Sequence, residues 1–224
     1  VQTSTLFSLL NEKDGQTRGF DAGIAQLLSN YILGENKVEI TQVTSDTRES
    51  VLQNGQVDAV FATYTITDER KKLVSFAGPY YYTQQAILVL ADNDDIKSFE
   101  DLAGKTTANS LASTYMELAE SYGATVQGID TLEETIQLLT AGRIDATLNA
   151  DVSFYDYLNV HPDADFKIVA QTEEASHVAI PLRKADASAT LLEAVNNAID
   201  QLRADGTLKE LSEKYFGQDI SSEN

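Results

Sequence analysis

The 224-residue sequence has no cysteine, no tryptophan and only two histidines, His161 and His177. The absence of cysteine excludes disulfides, thiolate zinc sites and catalytic thiols, and two histidines offer little material for a Ser-His triad. No segment comes near the roughly 18 consecutive apolar residues of a membrane span. A cysteine-free chain suits the cytosol, and it equally suits an extracytoplasmic protein large enough to fold without disulfides.

Positive charge is also scarce, with 16 lysines and arginines against 35 aspartates and glutamates and a formal net charge of -19. A surface this negative repels nucleic acids and anionic membranes, so neither is expected as a partner. The carboxylates Asp92, Asp94 and Asp95 lack the spacing of a calcium loop and suit a solvated turn. We therefore expect no metal and no other cofactor.

Helical periods alternate with short apolar strands along the chain, which predicts an α/β fold with mixed, mostly parallel sheets. Glycines follow several of the helical segments and predict where these end, as at Gly34 and Gly206. The predicted helices are residues 19–34, 47–55, 98–104, 114–123 and two within 189–217. The predicted strands include 37–43 and 57–65. Within 131–150 we predict a helix that ends at a glycine, followed by a strand.

Two segments, LQNGQVDAV at 52–60 and LTAGRIDAT at 139–147, match each other position by position. In each segment a helix stop precedes a strand that opens on Asp-Ala. One explanation is coincidence among common α/β turns, and the other is a chain with two similar α/β lobes.

The chain has only three prolines and no Pro/Gly/Ser-rich linker, so two such lobes would be joined by ordered segments. The best candidates are the extended segments at about 83–90 and 177–184. They would form a two-strand hinge between a discontinuous first lobe, 1–88 and 184–224, and a second lobe, 89–183. This is the architecture of closure around a ligand.

The decapeptide TYTITDERKK at 63–72 concentrates three cations, Arg70, Lys71 and Lys72, in this acidic chain. It follows a predicted strand, and ligands of α/β sheets bind at the carboxyl ends of strands. The Thr65 hydroxyl, the first N–H groups of the next helix and the planar fork of Arg70 together suit a carboxylate. The alternative is a solvated helix face, and the residues alone leave both interpretations open.

The run TITDERKKLVSFAGPYY at 65–81 resembles the signature of the extracytoplasmic polar-amino-acid-binding proteins that serve ABC importers. The resemblance extends through GFDAGIAQLL, NGQVDAVFAT, DLAGKT and DGTLKELSEKYFG, so it covers essentially the whole chain. It implies the type II periplasmic-binding-protein fold, with two α/β lobes that close around one amino acid and perform no chemistry on it.

The resemblance also implies a place and a partner for the protein. It would act as a monomer in the periplasm, or as a lipoprotein on the outer face of the cell membrane, and deliver its ligand to an ABC permease. No charged-then-apolar leader opens this chain, so we expect that any signal segment has been removed or was never present.

In the first lobe, the resemblance assigns the α-carboxylate of the ligand to Arg70. Thr65 would hydrogen-bond the carboxylate or the amine, and Ala62 and Thr63 would offer backbone groups to the ammonium. Phe7 matches an aromatic residue that commonly walls the pocket, although it also suits an ordinary place in the core.

Two further residues of the first lobe have two interpretations each. Tyr64 either walls the cleft or faces the sheet. Arg48, in TSDTRES, is either a surface ion-pair partner of Glu49 or Asp46, or the cation that meets a side-chain carboxylate in relatives that take acidic amino acids. A buried arginine without a counter-charge is costly, so the second role would favour ligands with two carboxylates.

In the second lobe, the segment LAST at 111–114 lies where relatives often have a Gly-Thr pair before a helix. Ala112 and Ser113 take these places, and Ser113 keeps the hydroxyl beside the N–H donors of the helix. Thr114 is the expected N-cap of that helix.

The acidic residue that holds the ammonium in relatives is displaced in this chain. Ala150 occupies its place, and Asp151 follows one step later. Adjacent strand residues face opposite sides, so Asp151 serves as the ammonium partner only if the strand has ended or bulges. Asn149 is the polar alternative.

The second-lobe segment resembles the cystine-binding branch, while TSDTR leans towards the branch that binds acidic amino acids. We therefore expect cystine or an acidic amino acid as the ligand, and no enzymatic activity. Two alternatives are a dehydratase-like enzyme on the same scaffold, which would need a cleft acid or base with a perturbed pKa, and the ligand-binding domain of a sensor.

Overall fold

The computed structural model describes residues 1–2 and 6–223. The chain divides into two compact units, one of residues 1–82 and 176–224 and the other of residues 83–175. These divisions lie a few residues before the lobe boundaries expected from the sequence. That the units move as lobes about their two connections stays a prediction.

The described chain contains strands and helices in alternation, as expected for a mixed α/β protein. The strands are β1 (Leu9–Asn11), β2 (Gln16–Arg18), β3 (Val74–Thr83), β4 (Gln85–Leu90), β5 (Thr106–Ser110), β6 (Thr125–Ile129), β7 (Thr147–Ala150), β8 (Phe166–Gln171) and β9 (Ser176–Arg183). The helices are α1 (Phe20–Leu33), α2 (Arg48–Gln53), α3 (Asp68–Leu73), α4 (Thr114–Ser121), α5 (Leu132–Thr140), α6 (Asp151–Val160), α7 (Ala189–Ala204) and α8 (Thr207–Phe216).

The second unit is built on the strand order β7-β4-β8 and the pair β5-β6. β4 is antiparallel to both of its neighbours, whereas β5 and β6 are parallel. Antiparallel pairing is thus more frequent here than the strand–helix alternation predicts. The reason is that β4 enters the unit from the first connection, without a crossover helix that would fix its direction.

The core of the second unit lies between its sheet and α5 and α6. Leu88, Leu139 and Phe154 are fully buried there. Each such side chain stabilises the fold by about 1.5–3 kcal/mol relative to an exposed position. Burial of Leu139 and Phe154 thus holds α5 and α6 against the sheet.

In the first unit, the segment predicted as the strand 57–65 is not a regular strand. It meets β9 only at isolated antiparallel bridges, Ala59 to Leu182 and Thr65 to Val178. Between these bridges, Thr63 has a left-handed backbone with φ 50, which interrupts the pleat. Among the described residues, the predicted strand 37–43 forms one bridge, from Val43 to Gln2.

The two matching segments of the sequence fold alike. In each, a helix (α2 or α5) ends at a glycine with positive φ, 73 at Gly55 and 64 at Gly142. An Asp-Ala pair then opens an extended segment, and Ala59 and Ala146 each form a bridge to another strand. The left-handed glycines explain why the match is position by position, since each terminates a helix in the same way.

Candidate ligand-binding site

Arg70 lies in the first turns of α3 and is only 8% exposed. Its Nη1 donates a hydrogen bond of 2.9 Å to the Thr65 carbonyl, and its guanidinium carbon lies 4.1 Å from the centre of the Tyr64 ring. The Thr67 hydroxyl caps α3 by accepting from the Arg70 N–H at 3.2 Å. The predicted carboxylate clamp is therefore held in place by local contacts.

The other two cations of the decapeptide belong to the solvated face of α3. Lys71 and Lys72 are exposed, and Lys71 pairs with Asp68 one turn earlier at 3.0 Å. Pairs of this kind contribute little, about 0.2–0.5 kcal/mol. The decapeptide thus separates into one buried arginine and two surface lysines.

Arg48 is 4% exposed at the start of α2, so its interpretation as a surface ion-pair partner is wrong. Its Nη1 donates to the Ala62 carbonyl at 2.8 Å, and its guanidinium carbon lies 4.7 Å from the centre of the Tyr64 ring. A longer contact of 3.5 Å joins the same nitrogen to the Gln2 side chain. The helix start buries this arginine beside the segment that carries the other candidate residues.

Tyr64 is fully buried, and both guanidiniums contact its ring. Its hydroxyl donates to the Glu49 carboxylate, and its ring also packs against Phe76 at 5.7 Å. Burial, and secondarily the bond to Glu49, raises the pKa of Tyr64, so the phenol stays neutral. We name Arg48, Glu49, Tyr64 and Arg70 the arginine–tyrosine group.

Thr63 and Ala112 are the non-glycine residues with positive φ in the described chain, at 50 and 52. This conformation costs about 1–2 kcal/mol in an L-residue and collects at ligand sites. Both residues had been predicted as ligand contacts, one in each unit. The left-handed backbone of Ala112 also gives a physical reason for the glycine that resembling sequences have at this place.

Ser113, and not Thr114, is the N-cap of α4, which corrects the expectation. Its side chain accepts from the Met116 N–H at 3.4 Å, and its backbone is extended. Ser113 is 5% exposed. The cap places its hydroxyl beside the first N–H groups of α4, where an anion is favoured.

Asp151 is the first residue of α6, because β7 ends at Ala150. The strand alternation therefore does not apply to Asp151, which removes the geometric objection raised by the sequence. Its Oδ1 accepts from the Val152 N–H at 2.9 Å and from the Gln84 N–H at 3.3 Å. Burial raises the pKa of Asp151 against the opposing effect of these N–H groups. The Asn149 side chain instead bonds the Ala150 N–H at 2.8 Å.

Ser113 and Asp151 follow neighbouring strands of the second unit. β5 and β7 meet through the parallel bridge between Thr107 and Ala146, and the Asn109 side chain donates to the Leu148 carbonyl at 3.1 Å. Parallel neighbours end at the same edge of a sheet, which is where α/β proteins bind ligands. The second unit therefore brings its candidate residues to one edge.

Phe7 belongs to another group of side chains. It is 2% exposed, and its ring packs on Phe20, Tyr81 and Phe216 at centroid distances of 6.3, 5.4 and 5.2 Å. These contacts are those of a core aromatic, the alternative given by the sequence. Its role as a pocket wall stays a prediction.

Sequence reasoning missed Glu49 as part of the site. It considered this residue only as a partner of Arg48, while its carboxylate in fact accepts from the Tyr64 hydroxyl. The two residues lie on different segments that no periodic pattern connects. The available signal was the position of Glu49 beside Arg48 at a helix start.

The described residues contain no group of three or more His, Cys, Asp or Glu side chains that could hold a metal ion. Among the same residues, no helix is both long enough and apolar enough to cross a membrane. The candidate residues of the first unit are the arginine–tyrosine group, and those of the second unit are a helix N-terminus and a carboxylate.

An α/β chain of two units, each with polar groups at the starts of helices, has the organisation of a solute-binding protein. Residues 2–218 match the model of the bacterial extracellular solute-binding proteins, family 3. The chain belongs to this family, whose members are extracytoplasmic.

Relatives across the chain support the family and differ in their named ligands. The chain is 33% identical to the probable amino-acid-binding protein YxeM of Bacillus subtilis, over 99% of this chain and 84% of the relative. It is 32% identical to the L-cystine-binding protein TcyA of the same organism, over 83% and 68%. It is 30% identical to the glutamate-binding protein GluB of Corynebacterium efficiens, over 94% and 75%.

Solved structures show the same architecture. An ancestral arginine-binding protein bound to glutamine matches with a TM-score of 0.87 and 36% identity, covering 97% of this chain and 96% of that one. An ancestral amino-acid-binding protein, AncCDT-1, described as a precursor of cyclohexadienyl dehydratase, matches with a TM-score of 0.83 and 34% identity over 96% and 92%.

Proposed function

We propose that this protein binds a free amino acid outside the cell membrane and delivers it to an ABC transporter permease. Family membership supports the class of ligand, and the buried guanidinium of Arg70 supports the mode of binding. In this proposal the protein acts as a monomer, either in the periplasm or lipid-anchored, and leaves the ligand chemically unchanged.

The observation that carries the proposal is the placement of Arg70. A guanidinium fixed by the Thr65 carbonyl and the Tyr64 ring offers its fork in a set direction. A carboxylate accepts two parallel hydrogen bonds from such a fork. The Thr65 hydroxyl and the left-handed backbone at Thr63 lie beside it in the chain and would complete the contacts to the amino-acid backbone.

The ammonium of the ligand would be held by Asp151, with the backbone of Ala62 and Thr63 as further partners. Burial raises the pKa of Asp151 in the ligand-free chain. An ammonium within about 4–6 Å would lower this pKa again, because an opposite charge favours the ionised carboxylate. Ser113, Ala112 and the N–H groups of α4 would meet the carboxylate of the ligand from the second unit, and Asn149 would supply a further polar contact.

We propose that the two sets of residues bind the same ligand and that the units close on it. A ligand shifts a protein towards the closed form only by its differential affinity for that form. Contacts supplied by both units would provide this difference.

For the ligand itself we propose cystine or an acidic amino acid. Arg48 is a second buried guanidinium on the ring that Arg70 contacts, and it would meet a second carboxylate. If so, Arg48→Ala would weaken binding of L-cystine, L-glutamate and L-aspartate, and leave that of L-glutamine much less affected. Equal weakening of all four would remove the specificity role of Arg48.

A dehydratase-like enzyme is the second candidate, since the raised pKa of Asp151 suits a general acid or base. The similarity to a precursor of a dehydratase concerns a protein that is itself described as amino-acid-binding. Incubation with the bound amino acid, followed by mass spectrometry, separates the two: the proposed binding function predicts full recovery of the ligand.

The proposal is tested by thermal unfolding with a panel of the twenty amino acids, cystine and glutathione. A ligand at a hundred times its dissociation constant adds about 2.7 kcal/mol of stability, a shift of several degrees for a protein of this size. We expect such a shift with cystine or an acidic amino acid. If no member of the panel raises the melting temperature, the proposed function is wrong.

A further inference from the structure

The arginine–tyrosine group places two cations and one anion around a single buried ring. The guanidinium carbons of Arg70 and Arg48 lie 4.1 Å and 4.7 Å from the centre of the Tyr64 ring. The hydroxyl at the far end of the ring donates to the Glu49 carboxylate. Tyr64 is therefore the one side chain that contacts every other member of the group.

This arrangement has an electrostatic consequence. The face of an aromatic ring carries negative potential, and a buried guanidinium on it gains more than an exposed one. A phenol that donates to a carboxylate is polarised towards phenolate, which adds negative charge to the ring. The carboxylate also offsets the repulsion between two cations that share one ring.

Each arginine makes two kinds of contact, a hydrogen bond to a backbone carbonyl and a contact with the face of the Tyr64 ring. The Thr65 carbonyl anchors one Nη of Arg70, and the Ala62 carbonyl anchors one Nη of Arg48. The Gln2 side chain adds a longer contact of 3.5 Å to the same nitrogen of Arg48. Contact with the Tyr64 ring restricts rotation of both guanidinium planes, and the direction of the fork is what a bidentate carboxylate contact requires.

We propose that Tyr64 and Glu49 are positioning residues for ligand binding, with the Tyr64 ring orienting both guanidiniums and Glu49 holding the ring and balancing its two cations. The inference rests on the proposed function and assigns it two residues that act through the arginines. A change at either residue is then a change in ligand affinity, beyond any change in stability.

Three variants separate the contributions of the Tyr64 ring, its hydroxyl and the Glu49 charge. Tyr64→Phe keeps the ring and removes the bond to Glu49, Glu49→Gln removes the charge, and Tyr64→Leu removes the ring. Tyr80→Phe is the matched control, since Tyr80 is another fully buried tyrosine whose hydroxyl donates to a carboxylate, that of Asp21, at 2.6 Å.

The first readout is nuclear magnetic resonance of the arginine Nε–Hε groups in the ligand-free protein. Ring currents shift protons above an aromatic face to higher field, so two shifted signals are expected, assigned by Arg48→Lys and Arg70→Lys. Tyr64→Leu should abolish both shifts. Glu49→Gln and Tyr64→Phe should reduce them, while Tyr80→Phe leaves them unchanged.

The second readout is calorimetric titration with L-cystine, L-glutamate and L-glutamine. Tyr64→Leu should weaken the tightest of these roughly tenfold, and Tyr64→Phe and Glu49→Gln about threefold. Tyr80→Phe should lower the melting temperature and keep the affinity within about twofold. If Tyr64→Leu fails to fold, the two milder variants decide the matter.

The outcomes distinguish this inference from the proposed function on which it rests. Unshifted arginine signals in the wild type, or folded variants that bind as Tyr80→Phe does, overturn the positioning role. If the wild type binds none of the panel while its arginine signals still depend on Tyr64, the orientation of the guanidiniums stands and the proposed function fails.

Discussion

Asp21 is a buried carboxyl group at the start of α1, in the core of the first unit. It is 0% exposed, and its Oδ1 accepts a hydrogen bond of 2.6 Å from the Tyr80 hydroxyl. Burial raises its pKa to about 7, while the bond from Tyr80 and the amino terminus act in the opposite direction. A group in this state links the stability of the fold to pH.

The sign of the linkage follows from the raised pKa. Below the ordinary value of 3.8 the carboxyl is neutral in both the folded and unfolded states, and above about 7 it is ionised in both. Asp21 therefore favours the folded state at low pH, and this contribution is lost as pH rises towards 7.

We expect the free energy of unfolding, measured in urea, to be lower by about 3 kcal/mol at about pH 8 than at about pH 5 because of Asp21. Asp21→Asn should remove that difference; an equal pH dependence in the variant would contradict the assignment.

Ala112 shows a second residue-scale effect, backbone strain at a candidate ligand contact. Its φ of 52 suits glycine better than alanine. Ala112→Gly should change the free energy of unfolding by less than about 1 kcal/mol, because relief of strain offsets the added chain entropy. Ala112→Val should lower it by roughly 2 kcal/mol or more, since branching at Cβ makes this conformation worse.

The matched control for this prediction is Ala103, whose φ is -55. Ala103→Gly relieves no strain and should cost about 0.5–1 kcal/mol. Denaturant unfolding of both glycine variants measures the difference, and identical losses at the two positions would mean that Ala112 is unstrained.

At the scale of elements, two helices of the second unit begin with a hydroxyl cap. Ser113 caps α4 by accepting from the Met116 N–H, and Thr131 caps α5 by accepting from the Glu134 N–H at 3.2 Å. Both caps satisfy N–H groups that the helix leaves without partners. The two caps follow parallel neighbouring strands, β5 and β6, and of the two residues Ser113 alone is a predicted ligand contact.

The two caps allow stability to be separated from binding. Ser113→Ala and Thr131→Ala should each lower the free energy of unfolding by about 1 kcal/mol. Calorimetric titration with L-cystine and L-glutamate should show weaker binding for Ser113→Ala and wild-type affinity for Thr131→Ala. Equal affinities in the two variants would show that the Ser113 hydroxyl serves the helix alone.

The sequence predicts the elements where one local rule governs. Helical spacing and a terminal glycine locate α1, and Gly206, with φ 86, separates α7 from α8 as expected. The segment 57–65 was predicted wrongly as a regular strand, because the left-handed Thr63 is invisible in a hydrophobic pattern. The start of α6 at Asp151 was likewise undetermined, since only the fold shows that β7 has ended one residue earlier.

In the candidate site, some residues can be predicted from their own segment, and others are brought together only by packing between distant segments. The proposed role of Arg70 depends on its own segment, so residues and resemblance were enough to suggest it. The partners of Tyr64 come from α2, α3 and β3, and their convergence depends on the packing of the whole first unit. No periodicity in the sequence contains that information.

At the scale of the whole molecule, the chain consists of two units connected twice, near residues 83 and 175. Its relatives are amino-acid-binding proteins with different named ligands, so the fold defines the class of ligand and the side chains define its identity. In the proposed mechanism every ligand shares the α-carboxylate, and Arg70 is the residue that would bind it. The central claim of the proposed mechanism is therefore that Arg70 binds the α-carboxylate of the ligand.

The most direct test is a calorimetric double-mutant cycle between Arg70 and the α-carboxylate. The wild type and Arg70→Ala are each titrated with the tightest amino acid of the panel and with its α-carboxamide, which lacks the charge. The wild type should bind the amide roughly a hundredfold more weakly than the acid, and Arg70→Ala should bind both about equally weakly. If Arg70→Ala still prefers the acid over the amide as strongly as the wild type does, Arg70 does not bind the α-carboxylate and the proposed mechanism is wrong.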